Sequence, residues 1–343
     1  MMKAALIGLG MVAETHVRAI ADAAGVTLAG VMSRDATRAQ AFANRMASVI
    51  GTAPHVFPDL AAIAASDVDF VILCTPPDSR ADIVATLVDA GKPILMEKPV
   101  ERTAKAARAI VDICAAAGVP LGVVFQHRFR PDAMALHDLL ASDGLGTLAA
   151  VQIDLPWWRP QSYYDEPGRG TYARDGGGVL ITQAIHILDL ALTFTGPVSR
   201  VQAMARTTAL HRMEGEDFVT AGLDYASGAV GSLVATTASR PGGGDCITLH
   251  CANGSARLVH GRLTIDWADG TTENIGLSSE TGGGADPMAF GHAWHQAAIE
   301  DFAAALRDGR NPTCTGAEAL RVHVLIEAII RSSTEGRAVE IAP

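Results

Sequence analysis

Three short stretches hold residues whose types and spacing could do chemistry. The first is the turn Gly8-Leu9-Gly10-Met11-Val12-Ala13, a G-x-G-x-x-A pattern that follows an apolar run, Ala4–Ile7, and opens a helical stretch, Val12–Ala24. There Gly8 permits a tight turn and Gly10 lets a pyrophosphate approach the backbone. Ala13 lets helix and strand pack closely, so the helix N-terminus faces the phosphates. The turn predicts a dinucleotide held by Gly8, Gly10, Met11 and Val12. The second stretch is a pair of strand exits, Cys74-Thr75-Pro76-Pro77 and Glu97-Lys98-Pro99. They lie at the carboxyl edge where open α/β sheets bind ligands. A lysine there has a chemical use. When a nearby cationic ring draws its pKa toward neutrality, it can take a hydroxyl proton as hydride leaves the same carbon. The third stretch sets Thr182, Gln183, His186 and Asp189 at spacings of three and four, which on a helix share one face.

Two further segments speak to ligand identity. The second predicted strand, Val26–Met32, ends in Ser33-Arg34-Asp35, with Ser33 where an acid for the ribose hydroxyl is expected. Arg34, assisted by Arg38, suits a 2′-phosphate, which favours NADP over NAD. In the alternative, Arg34 faces solvent or stacks on adenine and Asp35 takes the ribose. Farther on, Trp157, Trp158, Tyr163, Tyr164 and Tyr172 are five of the eight Trp and Tyr residues, interleaved with Arg159, Arg169 and Arg174. Aromatic faces stack on sugar C–H surfaces, and arginines bind hydroxyls or anionic groups. A subunit interface is enriched in the same residues, and both uses fit.

The elements that must position these residues follow from hydrophobic patterning. Up to about residue 120, apolar runs alternate with alanine-rich helical stretches, the pattern of βαβ units around a parallel sheet. Phe70–Cys74, Ile94–Met96 and Leu121–Val124 are nearly all apolar, as parallel strands covered on both faces should be. A helix is predicted over Arg38–Arg45. Beyond Phe125, strand-like runs follow one another: 148–155, 200–209, 218–225, 229–237, 245–251, 256–259 and 262–267. That order predicts an α+β domain with a large, open, mainly antiparallel sheet. Helical periodicity returns at Trp294–Leu306 and at 316–333. The expected division is a Rossmann domain over 1–124 and a substrate-binding and oligomerisation domain over 125–343, with the helix at about 316–333 packing back toward the first.

The 343 residues are 49% hydrophobic and 19% charged, ample for a two-domain core. A net charge of −10 argues against nucleic acid as a partner. No run approaches the length of a membrane span, and Glu14 and His16 stand where a signal peptide would carry its small-residue cleavage site. The five cysteines are scattered without paired metal-ligand spacing, so no metal is expected and a cytoplasmic, reducing location is.

Taken together, GLGMVAETH, CTPPDSR at 74–80, MEKPV at 96–100, QHRFRP at 126–131, DGGGVLITQAIHILDLALTFTGPV at 175–198 and the closing segment from Asp301 resemble the Gfo/Idh/MocA family. This is the family of glucose-fructose oxidoreductase, inositol dehydrogenase and rhizopine-catabolism proteins. The resemblance implies an N-terminal Rossmann domain and NAD(P) as cofactor. It implies hydride transfer at a secondary alcohol or ketone of a sugar or cyclitol, and a homodimer or homotetramer formed through the C-terminal sheet. Lys98 matches the family's catalytic lysine and His186 its active-site histidine. Cys74, Thr75, Pro76, Pro77, Glu97, Lys98 and Gln126 are expected to face the cofactor, with Ser33, Arg34 and Arg38. Trp158, Arg159, Tyr163, Arg169, Thr182, Gln183, Lys98 and His186 are expected to face the substrate. One position departs from the family pattern. Thr182 stands where many members carry aspartate, so the proton relay lacks a titratable partner there. The TQAIH form is more similar to the subgroup acting on nucleotide-linked or anhydro sugars. Two rival readings are a nucleotide-binding regulator without turnover, which the retention of Lys98 and His186 disfavours, and a redox-neutral glycosidase.

Overall fold

The computed structural model describes residues 1–259, 261–276 and 291–342. The chain divides into two compact units, Met1–Gln126 with Gly291–Leu320, and His127–Phe290 with Arg321–Pro343.

The first unit is built on a parallel sheet of β1 (Met2–Ile7), β2 (Val26–Met32), β3 (His55–Val56), β4 (Phe70–Leu73), β5 (Ile94–Glu97) and β6 (Leu121–Val124). Its order is β3-β2-β1-β4-β5-β6, so strand order reverses beside β1. Every residue of β4, β5 and β6 is buried, as the apolar runs required. The connecting helices are α1 (Ala13–Asp22), α2 (Ala36–Ile50), α3 (Leu60–Ala64), α4 (Arg80–Asp89) and α5 (Ala104–Ala116). Helix α2 extends past the predicted Arg38–Arg45 because Asp35 caps it and it continues to Gly51, which holds a left-handed conformation.

By packing, residues 291–320 belong with this first unit rather than with 125–290. Numbering the remaining helices in chain order, α6 is Pro131–Ala141, α7 Gln161–Tyr164, α8 Ile185–Thr195, α9 Ala293–Asp308 and α10 Gly316–Glu335. Ile299, Phe302 and Ala303 of α9 join Phe70, Ile72 and Leu95 in one buried cluster. The Phe302 ring meets Phe70 edge-on at 5.5 Å. Helix α10 starts in this unit, where Gly316 lies against Leu121. From Arg321 onward it packs in the second unit, where the Ala203 and Ala205 amides donate to Ser332 Oγ at 3.0 Å and Ser333 Oγ at 2.8 Å.

The second unit carries the sheet β14-β13-β12-β11-β7-β10-β9-β8-β15. Its strands are β7 (Leu148–Pro156), β8 (Val198–Arg206), β9 (Phe218–Tyr225), β10 (Val230–Thr236), β11 (Cys246–Cys251), β12 (Gly254–Val259), β13 (Arg262–Trp267), β14 (Thr272–Ile275) and β15 (Val339–Glu340). The pairings are antiparallel except β7 with β10, which run parallel. Along β7, Val151, Ile153 and Leu155 are buried while Gln152 and Asp154 are exposed. Helix α8 packs on β7 and β11, and among the described residues Gln152, Asp154 and Val234 on the opposite sheet face are exposed.

Candidate active site

In the first unit the exits of β1, β4 and β5 lie side by side, because Ile7 pairs with Leu73 and Leu73 with Met96. Gly8 follows β1 with φ +95°, and a Cβ there would meet the Cys74 carbonyl carbon at 2.7 Å, so only glycine fits. A Cβ on Gly10 would meet nothing within 4 Å, which leaves room for a pyrophosphate at the backbone. Thr75 Oγ1 and Gln126 Oε1 are buried without a hydrogen-bond partner among the described residues. Two residues expected at the cofactor thus keep polar atoms that a bound ligand can satisfy, and the residues present fit a dinucleotide. At the β2 exit Ser33 is half-buried and Arg34 exposed. The Asp35 carboxylate caps α2 by accepting from the Arg38 amide at 3.0 Å. The Arg38 guanidinium donates to the Leu9 carbonyl at 2.8 Å and so braces the glycine turn.

Lys98 sits just past β5, and its neighbours are held from two sides. The Glu97 carboxylate bonds His16 Nε2 at 2.7 Å, with His295 Nε2 at 3.8 Å. Glu97, His16 and His295 are all buried, and the two imidazoles meet edge-on at 5.2 Å. Burial opposes charge on His16, but Cys74 and then Glu97 outweigh it and lift its pKa to about 10. Burial likewise opposes charge on Glu97, yet the His16 bond and charge, with His295 and Lys98, lower it to about 2. Both groups are therefore charged at neutral pH. These three residues set donor atoms within 4.8 Å of one another, a spacing that could hold a metal ion. The 2.7 Å contact, however, is the length of a hydrogen bond between the two ligand atoms.

In the second unit, His186 lies in the first turn of α8, directly after a π-helical turn at Leu180–Ala184. That turn interrupts the uniform helical spacing expected across 182–189. Thr182 Oγ1 instead bonds back to the Gly178 carbonyl at 2.6 Å and to Gln183 Oε1. Gln183 Nε2 donates to the Tyr163 hydroxyl at 3.3 Å, and Arg169 Nη1 donates to the same oxygen at 3.2 Å. The Arg159 and Arg169 guanidinium carbons lie 5.6 and 4.5 Å from the Tyr163 ring centre. Tyr163, Gln183, Arg159 and Arg169 thus form one polar wall. Trp158 lies apart from it, beneath Arg240 at 5.5 Å and beside His211 at 5.8 Å.

Sequence reasoning singled out Asp189 but missed the other supports of this wall, His127, Arg128 and Glu216. The His127 ring stacks on His186 at 4.9 Å and 28°. Arg128 grips both oxygens of Asp189, each at 2.7 Å, so Asp189 anchors α8 to the turn over Gln126–Phe129. The buried Glu216 carboxylate accepts the Gly178 and Leu180 amides at 3.1 and 3.0 Å, capping the entry to the helix. Gly178 is obligatory there, since its Cβ would fall 1.8 Å from the Glu216 carbonyl oxygen.

Two family models match the chain. Residues 2–125 match the oxidoreductase family with an NAD-binding Rossmann fold, and residues 133–257 match the GFO/IDH/MocA C-terminal domain. The chain belongs to the Gfo/Idh/MocA family. As a member it is an NAD-binding oxidoreductase, and several relatives align with it over nearly its whole length. It is 29% identical over 356 aligned positions to D-apiose dehydrogenase of Paraburkholderia graminis, covering 99% of this chain and 89% of that protein. It is 26% identical to inositol 2-dehydrogenase of Rhizobium meliloti, covering 98% of each. Among solved structures it is similar to the WlbA dehydrogenase of Bordetella pertussis in complex with NADH and UDP-GlcNAcA. There the TM-score is 0.82, the identity 26%, and the coverage 100% of this chain and 99% of that one. Among the described residues, no helix of this family member is long and apolar enough to cross a membrane.

Proposed function

We propose that this protein is an NAD(P)-dependent dehydrogenase or reductase acting at a secondary alcohol or ketone of a sugar, sugar derivative or cyclitol. The observation that carries this reading is Lys98, set at the same sheet edge as the glycine turn and the Cys74–Pro77 exit, with both its neighbours pinned. Names of relatives that act on apiose and inositol support the substrate class, as does the nucleotide sugar bound to WlbA. The bound nicotinamide supplies the hydride acceptor or donor. Lys98 acts as general acid/base on the hydroxyl, and His186 assists by hydrogen bonding to a substrate oxygen. Arg159, Tyr163, Arg169, Thr182 and Gln183 bind the substrate, whereas Trp158, which packs on Arg240 and His211, is not assigned a contact with it. Thr182 bonds to a backbone carbonyl and to Gln183, which supports a route for the proton that does not pass through residue 182. No metal is required.

The preferred cofactor is NADP. Arg34 is exposed at the β2 exit, and the Asp35 carboxylate already caps α2. Fluorescence titration should give tighter binding of NADPH than of NADH, and equal or tighter NADH binding would sink the preference. The face of the second sheet opposite α8 exposes Met204, Val230 and Val234, which supports a homo-oligomer formed there. A single-chain mass by light scattering would refute it. Free thiols at all five cysteines support a cytoplasmic location, which fractionation can check. The main test is a panel of aldoses, polyols, cyclitols and anhydro sugars, read by absorbance of the reduced cofactor. At least one should be turned over, and Lys98→Ala should cut kcat by about a thousandfold or more while cofactor binding survives. Unchanged turnover in that variant would remove Lys98 from the mechanism.

A further inference from the structure

We propose that Arg80 is a positioning residue for Lys98, its guanidinium locking the β4 and β5 exits into one rigid piece. The inference rests on the reading of Lys98 given above.

Arg80 is the first residue of α4 and only 2% exposed. Two features of that location work against a cation. The N-terminus of a helix repels positive charge, and burial removes hydration. Burial accordingly pulls its pKa down to about 10, against the attraction of Glu97 and other acidic neighbours. What compensates is a set of backbone carbonyls. Nε and Nη2 both donate to the Thr75 oxygen, at 3.0 and 2.8 Å. Nη1 donates to the oxygens of Glu97 and Pro99, and it reaches that of Val100 at 3.4 Å. Thr75 lies on the cofactor-facing exit of β4, and residues 97 and 99 flank the lysine.

The geometry has a specific consequence. With the carbonyls on both sides of residue 98 tied to one planar cation, the lysine backbone cannot rotate without breaking charged hydrogen bonds. The cation also ties it to Thr75, so the reacting amine and the cofactor loop share one reference frame. On the other flank, the Glu97 side chain is fixed by His16. An apolar residue of the same volume would fill the core but would fix none of these carbonyls. Lysine would keep the charge but lose the fork.

Arg80→Lys should therefore lower kcat by about 100-fold, the penalty for misplacing a catalytic group by roughly 1 Å. The assay is the fastest substrate of the panel. KM and the cofactor Kd should move by less than about threefold, since neither binds through this side chain. In Arg80→Ala, millimolar guanidinium ion should restore part of kcat without changing cofactor binding, a rescue that a merely space-filling role would not give. Lys98→Ala is run alongside. If it keeps turnover, the reading of Lys98 fails and this inference falls with it. If it is inactive while Arg80→Lys retains kcat within threefold, only this inference fails. It fails also if Arg80→Lys does not fold, or if kcat, cofactor binding and Tm decline in parallel, because Arg80 would then serve core stability alone.

Discussion

The β5 exit of the first unit and the α8 entry of the second hold their candidate residues by opposite means. At the β5 exit the fixed atoms are backbone carbonyls and one buried ion pair, so Lys98 is carried by main chain that cannot shift. At the α8 entry Glu216 caps the turn through two backbone amides, but the candidate residues themselves are held mainly by side chains meeting side chains: His127 on His186, Arg128 on Asp189, and Arg169 and Gln183 on Tyr163. Under the proposed function, the difference separates the chemical step from recognition. A general acid/base must stay within a fraction of an ångström of its position, whereas a substrate wall can be re-lined residue by residue on one scaffold.

The comparison can be broken first at Arg128. Both it and Asp189 are buried, so Arg128→Met takes the bidentate partner from a buried carboxylate and should destabilise the fold by about 3 kcal/mol or more. Denaturant unfolding measures this, and a loss below about 1 kcal/mol would mean that the wall does not depend on that pair.

A second break uses pH. His16 has its pKa raised to about 10 in the folded chain, against the 6.5 of an ordinary histidine. Its stabilisation is complete below the lower value and is lost as pH rises through the upper one. Glu97, lowered to about 2 from 4.5, contributes above the higher value and loses that contribution only as pH falls through the lower. Unfolding free energy should thus decline between neutral pH and about 10, by at most about 1.4 kcal/mol per pH unit from this one proton. His16→Asn should flatten that slope. An unchanged slope would show that the ion pair does not anchor the β5 exit.

The smallest effect sharpens the contrast rather than breaking it. Tyr163→Phe removes the acceptor shared by the charged Arg169 and the neutral Gln183, and the neutral bond alone is worth about 1 kcal/mol. KM should rise about fivefold, with kcat changed less than twofold, as expected for a binding wall. A larger fall in kcat than in affinity would move Tyr163 into the chemical step.

The same contrast explains what could be read from the residues alone. Glycine turns and strand exits are local in sequence, so Gly8, Gly10, Thr75 and Lys98 stood out, as did the parallel sheet that orders them. Arg80 did not, because an arginine opening a helix looks like a solvated one until the carbonyls around it are known. His295 pairs with Glu97 only through α9, which no local pattern connects to β5. The π-helical turn escaped because apolar spacing was read at a constant 3.6 residues per turn. The mixed register of the second sheet escaped because consecutive strands suggest antiparallel neighbours, whereas β10 lies parallel to the earlier β7. Tyr163 and Arg169 were marked by composition, but their meeting with Gln183 depends on the tertiary fold.

The return of α9 to the first unit bears on how the chain is made. Gly122 leaves a slot that Phe302 fills, and Phe70, Ile72 and Leu95 share its cluster. While residues 1–126 are the only ones to have left the ribosome, that slot stands open to water. Completion of the nucleotide-binding unit therefore waits until residues 127–290 of the second unit have been synthesised. A fragment cut after Gln126 should be a sticky, incomplete sheet rather than a portable dinucleotide module.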